Sequence, residues 1–309
     1  MIAVVIVDYW SEELSRRCLA GLAALGRGNL RCFVVDNGGS LDAERLQADF
    51  SGLTVLRPGG NPGFAAGCNL GIARAEAEGA QYCLLLNPDT VAEVDFLSPM
   101  LAAMAGDKRI GMACPTQLDE HGGILYGGAT MNWWSGRPRM IPGRRQGAAG
   151  TFVEVPFASG AAMLLRVSAV REIGPMAEDY FLYFEDNDYT QAFVHGGWKV
   201  VYVPDAEIRH TGSGVIGFRS ATYVYYMARN RIRFMRRWGR WYHRLVFTLY
   251  NTAVRLPVMM AMYGIVWRRP ALAVTQLRGY IDGMLERIGP WLLPSNSAER
   301  LHRSVCRRD

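Results

Sequence analysis

The sequence predicts an α/β protein built on a doubly wound, mainly parallel sheet, with a helical extension at its C-terminal end. Three observations lead there. Short apolar runs bounded by turn residues alternate with amphipathic stretches through the first half of the chain. Two of those runs end in an acid within a turn, Val35-Asp36-Asn37-Gly38 and Leu86-Asn87-Pro88-Asp89. From about Ser220 onward the pattern changes to long, basic, aromatic helices.

The elements follow in order. Ile2-Ala3-Val4-Val5-Ile6-Val7 opens a buried strand over 2–8. A helix from about Glu12 to Leu25 follows, with Ser11 at its N-cap and two acids in its first turn. Strand 32–37, a helix near 41–49 and strand 53–56 come next. A helix over about Phe64 to Glu78 carries small residues at helical spacing, which predicts close packing on the sheet, and strand 81–86 follows. This βαβα order is that of a doubly wound sheet. Residues 116–156 read as loop-rich. Strand character resumes over Phe157 to Arg166, then a helix near 167–173, an acidic segment 178–188, a helix through about His195 and strand 199–203. Three regions are expected: 1–115 as a ligand-binding half, 116–219 as a catalytic half, and 220–309 as a basic helical region.

With 309 residues, half of them hydrophobic, the chain buries a substantial core and is not disordered. Its six cysteines lie far apart without a CxxC pair, so they read as reduced core thiols of a cytosolic protein. The N-terminus enters a strand directly, with no basic segment of a secretion signal before it. Charge is uneven. From Arg209 to Asp309 there are 18 Lys and Arg against 4 Asp and Glu, whereas the preceding 208 residues carry 16 against 24. An acidic body with a basic tail predicts that the tail meets something anionic.

Asp89 stands where open α/β sheets bind ligands, at the carboxyl end of a buried strand. There it either holds a divalent cation against a phosphate or shapes the turn and caps the next helix. The first strand ends Val7-Asp8-Tyr9-Trp10, not GxGxxG, which excludes the dinucleotide-binding pattern. Asp36 either accepts the imide N–H of a pyrimidine base or makes an Asx turn. The segment Gly59 to Asn69, with Asn61, Gly63 and Asn69, packs a helix and also offers a nucleotide contact. In Tyr180-Phe181-Leu182-Tyr183-Phe184-Glu185-Asp186-Asn187-Asp188, three carboxylates follow an aromatic, strand-like run. Acids beside apolar residues are costly unless solvated, paired or working on a ligand, and one in a cleft serves as a general base. His210, in a Gly-rich segment after strand 199–203, is either a surface residue or a ligand to a cation at Asp89.

Taken in order, Asp36-Asn37, Asn61-Pro62-Gly63-Phe64, Leu86-Asn87-Pro88-Asp89, Ser159-Gly160-Ala161, Phe184-Glu185-Asp186-Asn187-Asp188 and His210 resemble the inverting glycosyltransferases of the GT-A fold. That large family, family two, includes bacterial rhamnosyltransferases and galactofuranosyltransferases. The resemblance covers about residues 1–215. It implies a GT-A-type mixed sheet and a divalent cation, Mn2+ or Mg2+, held by Asp89 of a motif usually written DxD. Here Asn87 replaces the first acid. It implies His210 as a second metal ligand, Asp36 as a base contact and Asp186 as catalytic base, with Glu185 alongside. Val7, Asp8, Tyr9, Asn61, Gly63 and Asn69 then belong to the nucleotide-sugar site, as do Asn87, Pro88 and Gly160. The implied donor is dTDP-rhamnose, with a UDP-sugar as the alternative, and the acceptor a lipid-linked or surface glycan.

Residues 220–244 read as one helix with Tyr223, Tyr226, Met227, Phe234, Trp238 and Trp241 along one broad face. Arg229, Arg233, Arg236, Arg240 and Arg244 form a stripe suited to a membrane–water interface. Tyr225-Tyr226-Met227-Ala228-Arg229-Asn230 is similar to a signature of rhamnosyltransferase-like members. Phe247 to Trp267 is long enough to span a bilayer but holds Asn251, Arg255 and Pro257. It reads as a re-entrant, interfacial or dimer-packing helix. The expected location is the inner face of a bacterial plasma membrane. No nucleic-acid-binding motif is present. A nucleotidyltransferase is a competing class, but Asp8-Tyr9-Trp10-Ser11 is not a phosphate loop.

Overall fold

A computed structural model describes residues 1–141, 143, 151–211 and 220–291. Strand β1 (Ile2–Asp8) is buried along its whole length. Its alternate side chains serve two cores: Ala3, Val5 and Val7 face one, Ile2, Val4 and Ile6 the other. Helix α1 (Glu12–Ala24) covers the second core, and Ser11 at its N-cap turns its hydroxyl to Asp8 rather than to the helix. Strand β2 (Leu30–Asp36), helix α2 (Ala43–Asp49, capped by Asp42) and strand β3 (Leu53–Leu56) follow. Helix α3 (Phe64–Ala77) then crosses to the first core, and β4 (Tyr82–Leu86) returns beside β1.

The chain continues through β5 (Thr90–Val91), α4 (Leu97–Gly106) and β6 (Ile110–Leu118). It goes on as β7 (Ile124–Tyr126), the hairpin β8 (Ala129–Asn132) and β9 (Arg137–Met140), and β10 (Val153–Glu154). The segment expected to be loop-rich thus carries four short strands. Strand β11 (Ala162–Arg166), helix α5 (Val167–Ile173), helix α6 (Glu185–His195) and strand β12 (Lys199–His210) complete the sheet region. The order is β10-β12-β6-β11-β4-β1-β2-β3, with β5 on β12 and β7 on β6. Strand β11 is antiparallel to both β4 and β6, so the sheet is mixed.

Four sequence expectations change. The aromatic run before the acids is not a strand: Glu178–Tyr180 form one 3-10 turn, and Phe181, Tyr183 and Phe184 take left-handed backbone angles. Strand β12 does not stop at Val203 but runs to His210, across a register shift between Val203 and Glu207. The expected single helix over 220–244 is two, α7 (Ala221–Trp238) and α8 (Trp241–Tyr250), because Gly239 and Arg240 are extended. Arg229 of the expected stripe is buried at 2% exposure. Beyond α8, helical backbone continues as wide turns over Asn251–Arg255, then α9 (Leu256–Ala261) and wide turns over Met262–Val266. Pro257 lacks an N–H and crowds the carbonyl four residues back, which accounts for the widened turn before it. Helix α10 (Pro270–Met284) folds back on α7. A Cβ on its Gly279 would stand 2.5 Å from the Tyr225 carbonyl, so glycine sets that close approach.

The described cysteines are free, and burial pushes Cys83 and Cys114 up to about 12, which makes inert core thiols of them. Helix α3 packs through Gly67 and Gly71 onto Val7 and Val5, as its small residues predict. A Cβ at Gly71 would lie 2.3 Å from Val5 Cγ1. Gly71→Ala is therefore expected to cost about 1–3 kcal/mol in a denaturant titration, from overpacking. Adding Val5→Ala to the same chain recovers part of the loss, whereas strictly additive losses would contradict this contact.

Candidate active site

Register places the candidates along one edge. Asp8 pairs with Asp36 across β1 and β2, and Ile6 with Leu86 across β1 and β4. Asp8, Asp36 and the Asn87-Pro88-Asp89 turn therefore leave the sheet at the same end of three adjacent strands. Asp8 is fully buried and accepts from the Ser11 N–H and hydroxyl and, at 2.6 Å, from the Ser15 hydroxyl. Burial raises its pKa, and the serine hydrogen bonds offset part of that rise. Asp8 thus builds the turn into α1. Asp36 accepts the Ser40 and Leu41 N–H groups, and Arg57 stands 3.4 Å from its second oxygen. Val7 packs toward α3, while Tyr9 is 39% exposed at the rim.

Asn37, which sequence reasoning used only as a turn residue, donates to the Gly63 carbonyl at 3.0 Å. Asn61 accepts the Gly63 N–H. Gly63 has φ of 98°, and a Cβ there would meet the Phe181 carbonyl at 2.6 Å. The next residue, Phe64, donates its N–H to that same carbonyl. This loop therefore joins the end of β2 to the turn that leads into the acids. Asn69 does not join the group. Its amide donates to the Met176 carbonyl and Glu178 and accepts the Met176 N–H, so its polar atoms are spent on the 174–178 segment.

At the end of β4, the Asn87 N–H donates to the Ala161 carbonyl at 2.9 Å. One residue earlier in that turn, the Gly160 N–H donates to Asp186 at 3.0 Å. Two successive backbone groups thus hold the Asp89 turn and Asp186 side by side. Asp186 also accepts both the N–H and the side-chain amide of Asn187, and a Cβ on Gly160 would approach Asp186 Cβ to 3.2 Å. Burial raises the pKa of Asp186, and the three donors offset part of the rise. A partly exposed carboxylate of raised basicity is suited to taking a proton.

Glu185 differs from its neighbour. It is 5% exposed, its Oε2 has no hydrogen-bond partner, and it lies close enough to influence Cys68 on α3. Burial, and then the charges of Asp186 and Asp188, hold its pKa well above the carboxylate range. Gly160 and Asn187 donate to Asp186 and not to Glu185, so the geometry favours Asp186 over Glu185 as base. Asp188 is structural: it accepts from Tyr180 and Trp238 and pairs with Arg237, joining α6 to α7.

Asp89 and His210 also meet. His210 ends β12 opposite Thr90, and its Nε2 lies 3.2 Å from Asp89 Oδ1. That carboxylate oxygen makes no hydrogen bond, and neither does the buried amide oxygen of Asn87. Two orphaned oxygens and an imidazole nitrogen make a donor set that fits a hard divalent cation. Among the described residues no three His, Cys, Asp or Glu side chains gather around one point.

The turn before the acids is held from α7. Arg229 donates to the Asp179 and Tyr180 carbonyls, and Asn230 reaches those of Tyr180, Leu182 and Tyr183. Phe181 stacks on Tyr226 at 5.2 Å. Adjacent Arg and Asn after paired tyrosines is the sequence signal for this clamp, and Arg229 is buried in it instead of lying on an exposed stripe.

The sequence matches the family described as glycosyl transferase family 2 over residues 3–174. It is 25% identical over 232 residues to an N-acetylglucosaminyl-diphospho-decaprenol L-rhamnosyltransferase of Mycobacterium tuberculosis, covering 68% of this chain and 76% of that protein. It is 24% identical over 189 residues to a low-salt glycan biosynthesis hexosyltransferase of Haloferax volcanii, covering 61% and 60%. In fold it is similar to GalNAc-T7, solved with UDP, GalNAc and Mn2+, with a TM-score of 0.64 and 16% identity. That alignment covers 93% of this chain, which spans 56% of that one. A mannosyltransferase of Pyrobaculum calidifontis with GDP-Man and Mn2+ aligns with a TM-score of 0.54 and 11% identity, covering 93% and 87%. With a mixed sheet of the GT-A type and more than half of its length inside the family match, the chain belongs to glycosyl transferase family 2.

Proposed function

We propose that this glycosyltransferase is inverting and metal-dependent. It moves rhamnose from dTDP-rhamnose to a hydroxyl of a lipid-linked glycan at the cytoplasmic face of a bacterial plasma membrane. The observation that carries the chemistry is the shared turn at Gly160 and Ala161, which sets Asp186 beside the Asp89 end of β4. The similarity to the mycobacterial rhamnosyltransferase supports the donor and the kind of acceptor.

Asp186 accepts the proton of the acceptor hydroxyl as its oxygen attacks the anomeric carbon, and the nucleoside diphosphate leaves from the opposite face. Gly160 and Asn187 fix the direction of that carboxylate. Asp36, at the end of β2, receives the base of the nucleotide. A divalent cation held by Asp89 and His210, with the Asn87 amide oxygen beside them, would supply positive charge against the departing diphosphate.

Membrane contact falls to the 26-residue helical stretch Trp241–Val266, long and apolar enough to cross a bilayer by length and composition. Only 17% of its most apolar window is buried in the protein, so it is no core helix. Trp241, Leu249 and Ile265 are 74%, 61% and 75% exposed, and Arg255 interrupts the stretch, which favours lying at the interface.

Asp186→Asn is expected to lower kcat about 10²–10⁴-fold with dTDP binding retained. Glu185→Gln, at a side chain that Gly160 and Asn187 do not hold, stays within about tenfold of the wild type. The reverse order would move the base to Glu185. Because the base must be ionised and burial raises its pKa, kcat/KM falls toward low pH with a midpoint above the ordinary aspartate value. Asn187→Ala removes a hydrogen bond to the charged form and shifts that midpoint to still higher pH. Asp89→Ala or His210→Ala is expected to weaken dTDP binding in the presence of manganese by at least about tenfold, measured by calorimetry; equal isotherms would remove both from the metal site. Asn230→Ala leaves buried carbonyls unmet and lowers stability by about 1–3 kcal/mol. It also lowers kcat, and unchanged turnover would show that the aromatic turn does not position Asp186.

A further inference from the structure

The arginines of α7 are mostly spent. Arg229 binds carbonyls, Arg233 pairs with Asp179, Arg236 with Glu286, and Arg237 with Asp188. Arg231 is different. It is 6% exposed, and its Nε and Nη1 have no hydrogen-bond partner. An unpaired buried cation is among the costlier things a fold can retain. Its nearest charged company makes matters worse. Burial, and then the charges of Arg255 and Arg137, push the Arg231 guanidinium down to about 9. Among the described residues no carboxylate forms an ion pair with any of the three. Three arginines gathered at one spot without a counter-charge repel one another unless an anion joins them.

The spot draws its arginines from three elements, β9, α7 and the wide turn after α8. The β8–β9 turn presses on α7 and α8, where a Cβ at Gly136 would meet Arg231 Cγ at 3.0 Å and the Phe247 ring at 2.9 Å. Arg137 opens β9, directly after Gly136, and Arg255 closes the wide turn after α8. Tyr223 of α7 meets Tyr183 edge-on at 5.3 Å, and Tyr183 lies in the turn that delivers Asp186. Helix α8, whose Phe247 meets the β8–β9 turn, also carries the exposed apolar side chains Leu245 and Leu249.

We propose that Arg231, Arg137 and Arg255 form a phosphate-binding site that seats the diphosphate of the acceptor lipid, with its hydrocarbon tail along α8 and its sugar toward Asp186. The assignment to the acceptor rests on the reading of the chain as a transferase to lipid-linked glycan; the anion site itself does not. Guanidinium groups suit this ligand because their planar N–H pairs match phosphate oxygens two at a time.

The test is calorimetric titration of the full chain with inorganic pyrophosphate, without metal or nucleotide, on the wild type, Arg231→Met and Asp89→Asn. The expected result is binding to the wild type, at least about tenfold weaker binding to Arg231→Met, and no change in Asp89→Asn. Thermal unfolding is read alongside. Without anion, Arg231→Met melts at or above the wild-type temperature, since a desolvated charge has been removed, so lost binding is not lost fold. Equal binding to the wild type and Arg231→Met overturns the site. Loss in Asp89→Asn but not in Arg231→Met also overturns it, by placing the anion in the donor pocket. Farnesyl diphosphate is expected to displace pyrophosphate more strongly than short-chain phosphatidylglycerol; the opposite order overturns the acceptor assignment in favour of a lipid headgroup. If dTDP with manganese fails to bind the wild type while pyrophosphate binding still depends on Arg231, the anion site stands and the transferase reading falls.

Discussion

One rung of backbone pairing organises the site: the Asn87 N–H on the Ala161 carbonyl, where β11 meets the end of β4. Strand β11 runs antiparallel to its neighbours, so it begins at the edge where β4 ends, with Ala162 opposite Leu86. A parallel strand would begin at the far edge of the sheet. The reversed direction delivers the Ser159-Gly160-Ala161 turn to the Asp89 side, and Gly160 then fixes Asp186 by its own N–H. Without that reversal the two acids would have no shared anchor. The absence of a side chain at Gly160 matters equally, since a Cβ there would crowd Asp186 at 3.2 Å.

A second constraint acts from outside the sheet. Three non-glycine residues with left-handed backbone angles, Phe181, Tyr183 and Phe184, lead into α6. Each costs about 1–3 kcal/mol, so the turn persists only because its surroundings determine it. Arg229 and Asn230 hold its carbonyls, and Tyr226, Tyr223 and Phe234 pack on its rings. The basic C-terminal region is therefore not an appendage to a finished enzyme. Helix α7 holds the turn that leads into α6 through Arg229 and Asn230, and its Arg233, Arg236 and Arg237 pair with Asp179, Glu286 and Asp188.

Much of this was legible in the sequence. Apolar runs bounded by turns gave β1 to β4 and their helices, since strands buried on both faces show as continuous apolar segments. The residue types at positions 89 and 210 suggested neighbours, and His210 Nε2 lies 3.2 Å from Asp89 Oδ1. What escaped had physical causes. The aromatic run at 180–184 has the composition of a strand, yet its rings serve a tight turn whose carbonyls are met by side chains 50 residues away. Pro204 marks an end to strand β12 in the sequence, but a register shift between Val203 and Glu207 absorbs it and carries the strand to His210. Periodicity put Arg229 on an exposed stripe because helical spacing does not report which neighbours cover a face. Composition alone does not separate the adjacent acids at 185 and 186; successive helical positions point about 100° apart, and Asp186 is the one that accepts from Gly160.

The central claim is geometric: Asp89, His210 and Asp186 surround one donor. It is tested most directly by a crystal structure with manganese and dTDP, the metal located by its anomalous scattering. The account predicts manganese between Asp89, His210 and the diphosphate, with the Asp186 carboxylate facing the site of the sugar. Manganese bound elsewhere, or a nucleotide on the other edge of the sheet from Asp186, would contradict it.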